Sequence, residues 1–301
     1  MAQDATFRFY LEEPLRTSAA NGEHNFINLV VKVMKRAGFD PAFDRLPAGD
    51  VPADEYSLSH MVNPPNDRGL VFRRVYHYPF WQIEAVAQRW QWDVARAAFD
   101  PGQASKDSLR FYRFWQNRLF GDAPQEARKE GYIYVPLQGH LGRKRVFQAC
   151  SPLEMIEHCL EHDPKRAVVA TLHPKEHYST QDLVDLDALK RRYPRLTIDT
   201  GNMAGYLRTC DYVVTQNSGA AFSGYFFEKP ALLFAKIDFH HIAERADMKD
   251  LSKSFAKVAA RAPAYDKYIW WFWQDQSINA GREDAEDKIA ARLRRFGWPM
   301  V

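Results

Sequence analysis

Residues 167–200 read AVVATLHPKEHYSTQDLVDLDALKRRYPRLTIDT, and this stretch decides the fold. Ala167-Val-Val-Ala-Thr-Leu172 is a continuous apolar run of strand length, rich in β-branched residues. Ser179-Thr-Gln-Asp182 then reads as a helix start, with Ser at the N-cap and an acid three residues on. The predicted helix ends in Lys190-Arg-Arg192 ahead of Pro194, basic residues at the negative end of its dipole. Leu196-Thr-Ile198 is the next strand. Strand, helix and strand over short loops make a βαβ unit, whose strands run parallel.

The pattern extends both ways. Upstream, Tyr132-Ile-Tyr-Val-Pro-Leu137 reads as a strand, and Ser151-Pro-Leu-Glu154 as a capping box with Pro at the first helical position. Downstream come a short helix from Met203 to Cys210, a strand Asp211-Tyr-Val-Val-Thr215, a helix from Ala220 to Phe227 and a strand Ala231-Leu-Leu-Phe234. The fold class is therefore α/β, with a Rossmann-like parallel sheet over about 127–240.

The first part of the chain predicts a second, smaller α/β domain. Phe7-Arg-Phe-Tyr-Leu11, Tyr56 to Val62 and Leu70 to Tyr76 read as strands. Phe26, Leu29, Val30, Val33, Met34 and Ala37 share one helical face, which Gly38 ends. Ser108 to Leu119 is an aromatic amphipathic helix, and Gly121-Asp-Ala-Pro124 is the expected boundary. The expected division is 1–125, 126–264 and a tail, 265–301, holding the aromatic run Tyr268-Ile-Trp-Trp-Phe-Trp273 and a charged helix from about Arg282 to Arg295.

Composition narrows the function classes. The 301 residues are 46% hydrophobic and 26% charged, globular proportions. Lys plus Arg is 41 against 38 for Asp plus Glu, a net charge of +3, which gives no field for nucleic-acid binding. Cys150, Cys159 and Cys210 are too few and too scattered for a disulfide framework or a zinc cluster, and read as reduced core thiols. The N-terminal MAQDATFRFYLEEP carries acids where a secretory signal needs bases and an apolar run. No stretch reaches the roughly 18–20 apolar residues of a membrane span. A soluble cytoplasmic protein is expected, with room for peripheral contact with a membrane surface. Aromatics make up 14% of the chain, a choice between core area and stacking on sugars or bases.

Open α/β sheets bind ligands beyond the carboxyl ends of their strands. The residues there are Gln138-Gly-His140 with Gly142-Arg-Lys-Arg145, His173-Pro-Lys-Glu176, Asp199-Thr-Gly-Asn202, Gln216-Asn-Ser-Gly219 and Lys236-Ile-Asp238. Asn217-Ser218-Gly219 ahead of a small-residue helix offers backbone N–H groups and a hydroxyl, as a phosphate site requires; a plain helix cap reads equally well. His173 and Lys175 could supply the opposing donors, although a lone His-Pro more often ends a strand in a turn. Arg143 and its basic neighbours more often form a solvated loop. What favours a site is that all of these fall on one edge of one sheet. No Asp-x-Asp lies at a strand exit, since Asp185-Leu-Asp187 falls within a predicted helix, so no metal is expected at the reacting centre.

Tyr132-to-Gln138 (YIYVPLQ), the Ser151-Pro152 helix start, His173-Pro174, and Gln216-Asn-Ser-Gly219 followed by Glu228-Lys-Pro230 resemble the bacterial capsule polysaccharide synthesis family, which includes Kdo transferases. The His-Pro and Ser elements are shared with bacterial sialyltransferases. The resemblance covers roughly 127–240. It implies a GT-B-like fold: two Rossmann-like domains facing a cleft, the acceptor on the N-terminal side, the donor in the C-terminal domain, and a last helix crossing back. It implies a glycosyltransferase that moves a sugar, Kdo or a related acid sugar from a CMP donor, onto a surface glycan or lipid-linked acceptor. It places the donor phosphate on His173 and Ser218, with Gln138, His140, Arg143, Lys175, Asn217 and Gly219 around it. No cofactor is implied beyond the nucleotide sugar. Peripheral association with the inner membrane or a polysaccharide assembly complex is the expected context.

In that family an acidic residue follows the Pro-Leu-Gln segment, whereas here the loop is Gly139-His-Leu-Gly-Arg-Lys-Arg145. A catalytic base is then expected from the N-terminal domain. Asn21-Gly-Glu-His-Asn25 offers Glu23 and His24, with Asn21 or Asn25 as plain helix caps in the competing reading; His60 and His77 are weaker candidates. Two alternatives stand beside transfer: a nucleotide-sugar epimerase or hydrolase on the same fold, and a non-catalytic subunit that has kept the fold and lost the chemistry.

Overall fold

The computed structural model describes residues 7–47 and 49–300. The first six residues, part of the stretch read above for its acids, lie outside it. The chain forms two compact units: 1–97 with 272–301, and 98–271.

The first unit opens with β1 (Phe7–Tyr10), α1 (Leu15–Ala20), α2 (Asn25–Arg36), β2 (Pro41–Asp44), β3 (Tyr56–His60), β4 (Leu70–Arg74), β5 (Phe80–Glu84) and α3 (Asp93–Arg96). β2, β1, β3 and β4 pair in parallel, and β5 joins β4 antiparallel. α2 forms as its apolar face dictates: Phe26, Ile27, Val30, Val33 and Met34 are buried, and Gly38 follows with φ +85°, which a glycine adopts without a Cβ penalty.

The second unit contains α4 (Ser108–Phe120), β6 (Tyr132–Pro136), α5 (Pro152–His162), β7 (Ala167–Leu172), α6 (Thr180–Arg192), β8 (Leu196–Thr200), α7 (Met203–Thr209), β9 (Tyr212–Thr215), α8 (Gly219–Gly224), β10 (Ala231–Leu233), β11 (Glu244–Arg245), α9 (Leu251–Ala259) and α10 (Tyr265–Trp270). Its six strands are all parallel, in the order β11-β10-β9-β6-β7-β8. This is the doubly wound order, with the reversal between β6 and β9. The predicted capping box is present, Ser151 accepting from the Glu154 amide while Glu154 accepts from the Ser151 amide, and the helix start read at Ser179 proves to be a second, with Asp182. All five strands expected over 127–240 are here.

The boundaries differ from the expected 125/126 and 264/265. The first break falls after Ala97 because α4 belongs to the second unit. Tyr112 Oη donates to the Tyr225 carbonyl at 2.8 Å, Gln116 Nε2 to the Phe226 carbonyl at 2.6 Å, and Ser108 Oγ to Asp266 at 3.1 Å. The second break falls inside the aromatic run. Tyr268 and Trp271 pack in the second unit with Phe99, while Trp273 stacks on Phe80 at 4.3 Å in the first. Trp271 and Trp273 are buried and Trp270 half-buried, so the run is packing rather than an exposed patch. Beyond it, β12 (Ile278–Asn279) adds antiparallel to β5, and α11 (Ala285–Arg295) packs beside α2, sinking Ile289 and Leu293 into the first core.

Candidate functional site

The order of the second sheet puts the exits of β6, β7 and β9 side by side, with β6 in the middle. Ligands of doubly wound sheets sit at this reversal, because neighbouring connections leave to opposite faces and open a crevice. A pocket of about 220 Å³ lies there, lined by Gln138 from the β6 exit, His173 and Pro174 from β7, and Ser218, Gly219 and Ala220 from β9. Tyr134, Thr171 and Met203 also line it. Gln138, His173, Ser218 and Gly219, singled out from the sequence, therefore share one pocket.

Each polar group there has a defined orientation. The Lys175 amide donates to His173 Nδ1 at 3.2 Å, so the neutral ring carries its proton on Nε2 and presents that atom as a donor. The His173 amide donates to Tyr178 Oη at 2.7 Å, tying down the turn. Ser218 is buried and caps α8, its Oγ accepting from the Ala220 amide at 3.3 Å. That bond uses a lone pair and leaves the hydroxyl proton to be donated. α8 has six residues, so its dipole is small, and the Gly219 N–H, first in the helix, has no acceptor within it. Cap and anion donor are compatible roles for Ser218. The pocket thus offers imidazole N–H, hydroxyl and amide donors, a set suited to an anion.

The other expected donors are spread around this pocket. Asn217 lines a neighbouring void of about 10 Å³, room for one water, with Gln138, Arg145 and Gln216. His140, at φ +60°, and Arg143 line a separate depression with His177 and Asp182. Asp182 anchors that loop. Burial alone would raise its carboxyl, but hydrogen bonds from Ser179 and the Gly142 and Leu141 amides hold it below the usual carboxylate range. Lys175 is exposed and lines none of these three spaces. The 139–145 loop lacks an acid of its own; exposed Glu176 lies against it, since a Cβ at Gly139 would be 2.9 Å from its Oε2, but Glu176 lines none of these three spaces. Lys229 of the Glu228-Lys-Pro230 turn is buried and donates to the Arg128 carbonyl at 2.7 Å, a structural role.

In the first unit, the parallel strands β1, β3 and β4 end at Tyr10, His60 and Arg74. His60 Nδ1 lies 2.7 Å from Glu12 Oε1, a pair held across 48 residues of sequence. The His60 side chain is 12% exposed, and burial lowers its pKa, with Arg73 and Arg74 adding to that and Glu12 opposing. A neutral ring donating Nδ1–H to Glu12 keeps the Nε2 lone pair available to accept a proton. His24 is placed differently. It is itself the N-cap of α2, its Nδ1 accepting from the Ile27 amide at 3.2 Å, and its ring meets Trp81 edge-on. Its proton then sits on Nε2, and burial lowers its pKa, so it donates rather than accepts. Neither Asn21 nor Asn25 is the cap residue, and Glu23 is exposed. Burial, with Arg74 nearby, lowers His77 to about 4. Glu12 carried no sequence signal, since its partner lies on another strand.

No family model matches the chain, and no curated protein matches it. Solved structures do. The KpsC β-Kdo 2,7-transferase of Thermosulfurimonas dismutans superposes with a TM-score of 0.54 at 9% identity, over 98% of this chain and 100% of that one. The KpsC β-Kdo 2,4-transferase of the same organism gives 0.51 at 8% identity, over 89% and 90%. The chain has a GT-B-like fold of two Rossmann-like units. At such identities the likeness is one of fold.

Proposed function

We propose that the protein is a GT-B glycosyltransferase that transfers a sugar from a nucleotide donor, a CMP-activated acid sugar such as Kdo being favoured, onto a glycan or glycolipid acceptor. The observation that carries this reading is the convergence of Gln138, His173 and Ser218 on one pocket at the reversal of the second sheet. A pocket of about 220 Å³ takes the phosphate and part of the nucleotide, not the whole donor. As the bond to the anomeric carbon breaks, negative charge grows on the departing phosphate. The His173 Nε2–H, the Ser218 hydroxyl and the Gly219 amide stabilise it without moving. His60, oriented by Glu12, takes the proton of the acceptor hydroxyl.

The test begins with thermal shifts against CMP, UDP, GDP and ADP. A ligand at about 100 times its dissociation constant adds about 2.7 kcal/mol, and CMP is expected to lead. His173→Ala should cut turnover by about 10²–10³, the effect of removing one donor that strengthens in the transition state. Ser218→Ala should weaken donor binding by less, because the amides remain. The unfolding midpoint should stay at the wild-type value in His173→Ala, while Ser218→Ala should lose only the roughly 0.5–2 kcal/mol of an N-cap. A folding defect with normal nucleotide affinity would make these residues structural and end the proposal.

A further inference from the structure

The last turns of α5 carry His158, Glu161 and His162, at spacings i, i+3 and i+4 that place all three on one helix face. One ligand atom from each lies within 4.8 Å of the others. The geometry points to a zinc site formed by these three side chains, separate from the nucleotide pocket. α5 runs back along the sheet from the β6 exit toward the start of β7 at Ala167, so its last turn lies at the end of the sheet opposite His173 and Ser218.

Three features go beyond spacing. His162 Nδ1 lies 3.0 Å from Ser252 Oγ on α9, and donation from Nδ1 turns the Nε2 lone pair outward as a ligand. Tyr193 Oη donates to Glu161 Oε1 at 3.3 Å, leaving the second carboxylate oxygen for the ion. Metal-binding imidazoles and carboxylates are commonly held in this way by an outer layer of hydrogen bonds. Both rings are also fixed by flat packing: His158 against Phe234 (8° between planes) and His162 against Phe255 (14°). Finally, His158 Nδ1 is buried with no hydrogen-bond partner, an arrangement that costs free energy unless the ring has another strong interaction.

Two imidazoles and one carboxylate with water in the fourth position suit tetrahedral zinc, whose bonds are about 2.0–2.2 Å long. Such a sphere keeps its ligands about 3.3 Å apart, so closure needs roughly an ångström of side-chain adjustment. Exposed Glu161 can supply it without backbone movement. The ion would join α5 to the residues that hold its ligands, Ser252 on α9 and Tyr193 after α6.

The test is a zinc titration of tag-free full-length protein against a competing chromophoric chelator, with circular dichroism to confirm folding. One equivalent of zinc per chain is expected. His162→Ala should abolish uptake, and Ser252→Ala, which removes only the orienting hydroxyl, should weaken it about 10-fold or more. If His162→Ala fails to fold, Glu161→Gln serves instead, because that side chain is exposed. No uptake by the wild-type chain, or full uptake by folded His162→Ala or Glu161→Gln, overturns the site. Nucleotide binding by these variants should stay at the wild-type level, which keeps the result independent of the proposed transfer.

Discussion

At the scale of single residues, the first sheet offers a dyad whose parts are each ordinary. Glu12 is largely exposed and His60 ends a strand, yet together they set the ring's tautomer. If His60 is the base, His60→Gln should lower kcat by about 10²–10⁴ while leaving nucleotide affinity unchanged. Glu12→Gln should cost less: the amide oxygen still accepts from Nδ1–H, but the charge that steadies the imidazolium is gone. The acid limb of the kcat profile should fall below the ordinary histidine value, because burial lowers the His60 pKa. An acid limb above 6.5, or full activity in His60→Gln, would assign the proton transfer elsewhere. The pocket at the sheet reversal was legible in the sequence because strand exits are found by counting along an alternating pattern, and Gln138, His173 and Ser218 all sit at such exits. The dyad was not, because nothing near Glu12 indicates His60, and the His24 signal was drawn off by a local cap.

At the scale of elements, the C-terminal helix shows how a distant segment completes a core. Ile289 and Leu293 of α11 are fully buried, and Arg292 donates to the Ile83 carbonyl at 2.8 Å and pairs with Glu84 and Asp93. Leu293→Ala should cost about 2–5 kcal/mol, the range for emptying a buried leucine site. Chemical denaturation should show this in the first unit, with the second unchanged; a loss under about 1 kcal/mol would mean that α11 is peripheral to that core. Local signals predicted α2, α5, α6 and five of the six strands of the second sheet, since each carries its own cap or apolar run. β5, Phe80-Trp-Gln-Ile-Glu84, escaped because its two polar side chains are buried and find their partners about 200 residues away: Gln82 at the Gln276 carbonyl, Glu84 at Arg292. β2 begins with Pro41, which suits only a sheet edge and masks a strand in sequence. α4 was recognised as a helix but assigned to the wrong unit, because the carbonyls of Tyr225 and Phe226 that hold it lie more than 100 residues on.

At the scale of the whole molecule, each unit has its own core, and the first is assembled from both ends of the chain. Calorimetry should therefore resolve two transitions, and in the first the acid response combines opposed groups, since burial raises Glu84 to about 7 and lowers three histidines. His24, His60 and His77, all in the first unit, have folded-state pKa values lowered chiefly by burial. A depressed histidine binds fewer protons folded than unfolded, so its contribution is fully present above the unfolded value and is lost as pH falls. For His77 the window runs from 6.5 down to about 4. Between pH 7.5 and pH 5 this residue alone should remove about 2 kcal/mol from the first unit. The ring packs edge-on against Trp273, so His77→Gln should lower stability at neutral pH while flattening the slope against pH. The decisive comparison is the difference in unfolding free energy between pH 7.5 and pH 5 for wild type and His77→Gln. A variant slope reduced by about 2 kcal/mol over that interval supports a histidine kept neutral by burial. Equal slopes would show that His77 gains its proton without penalty.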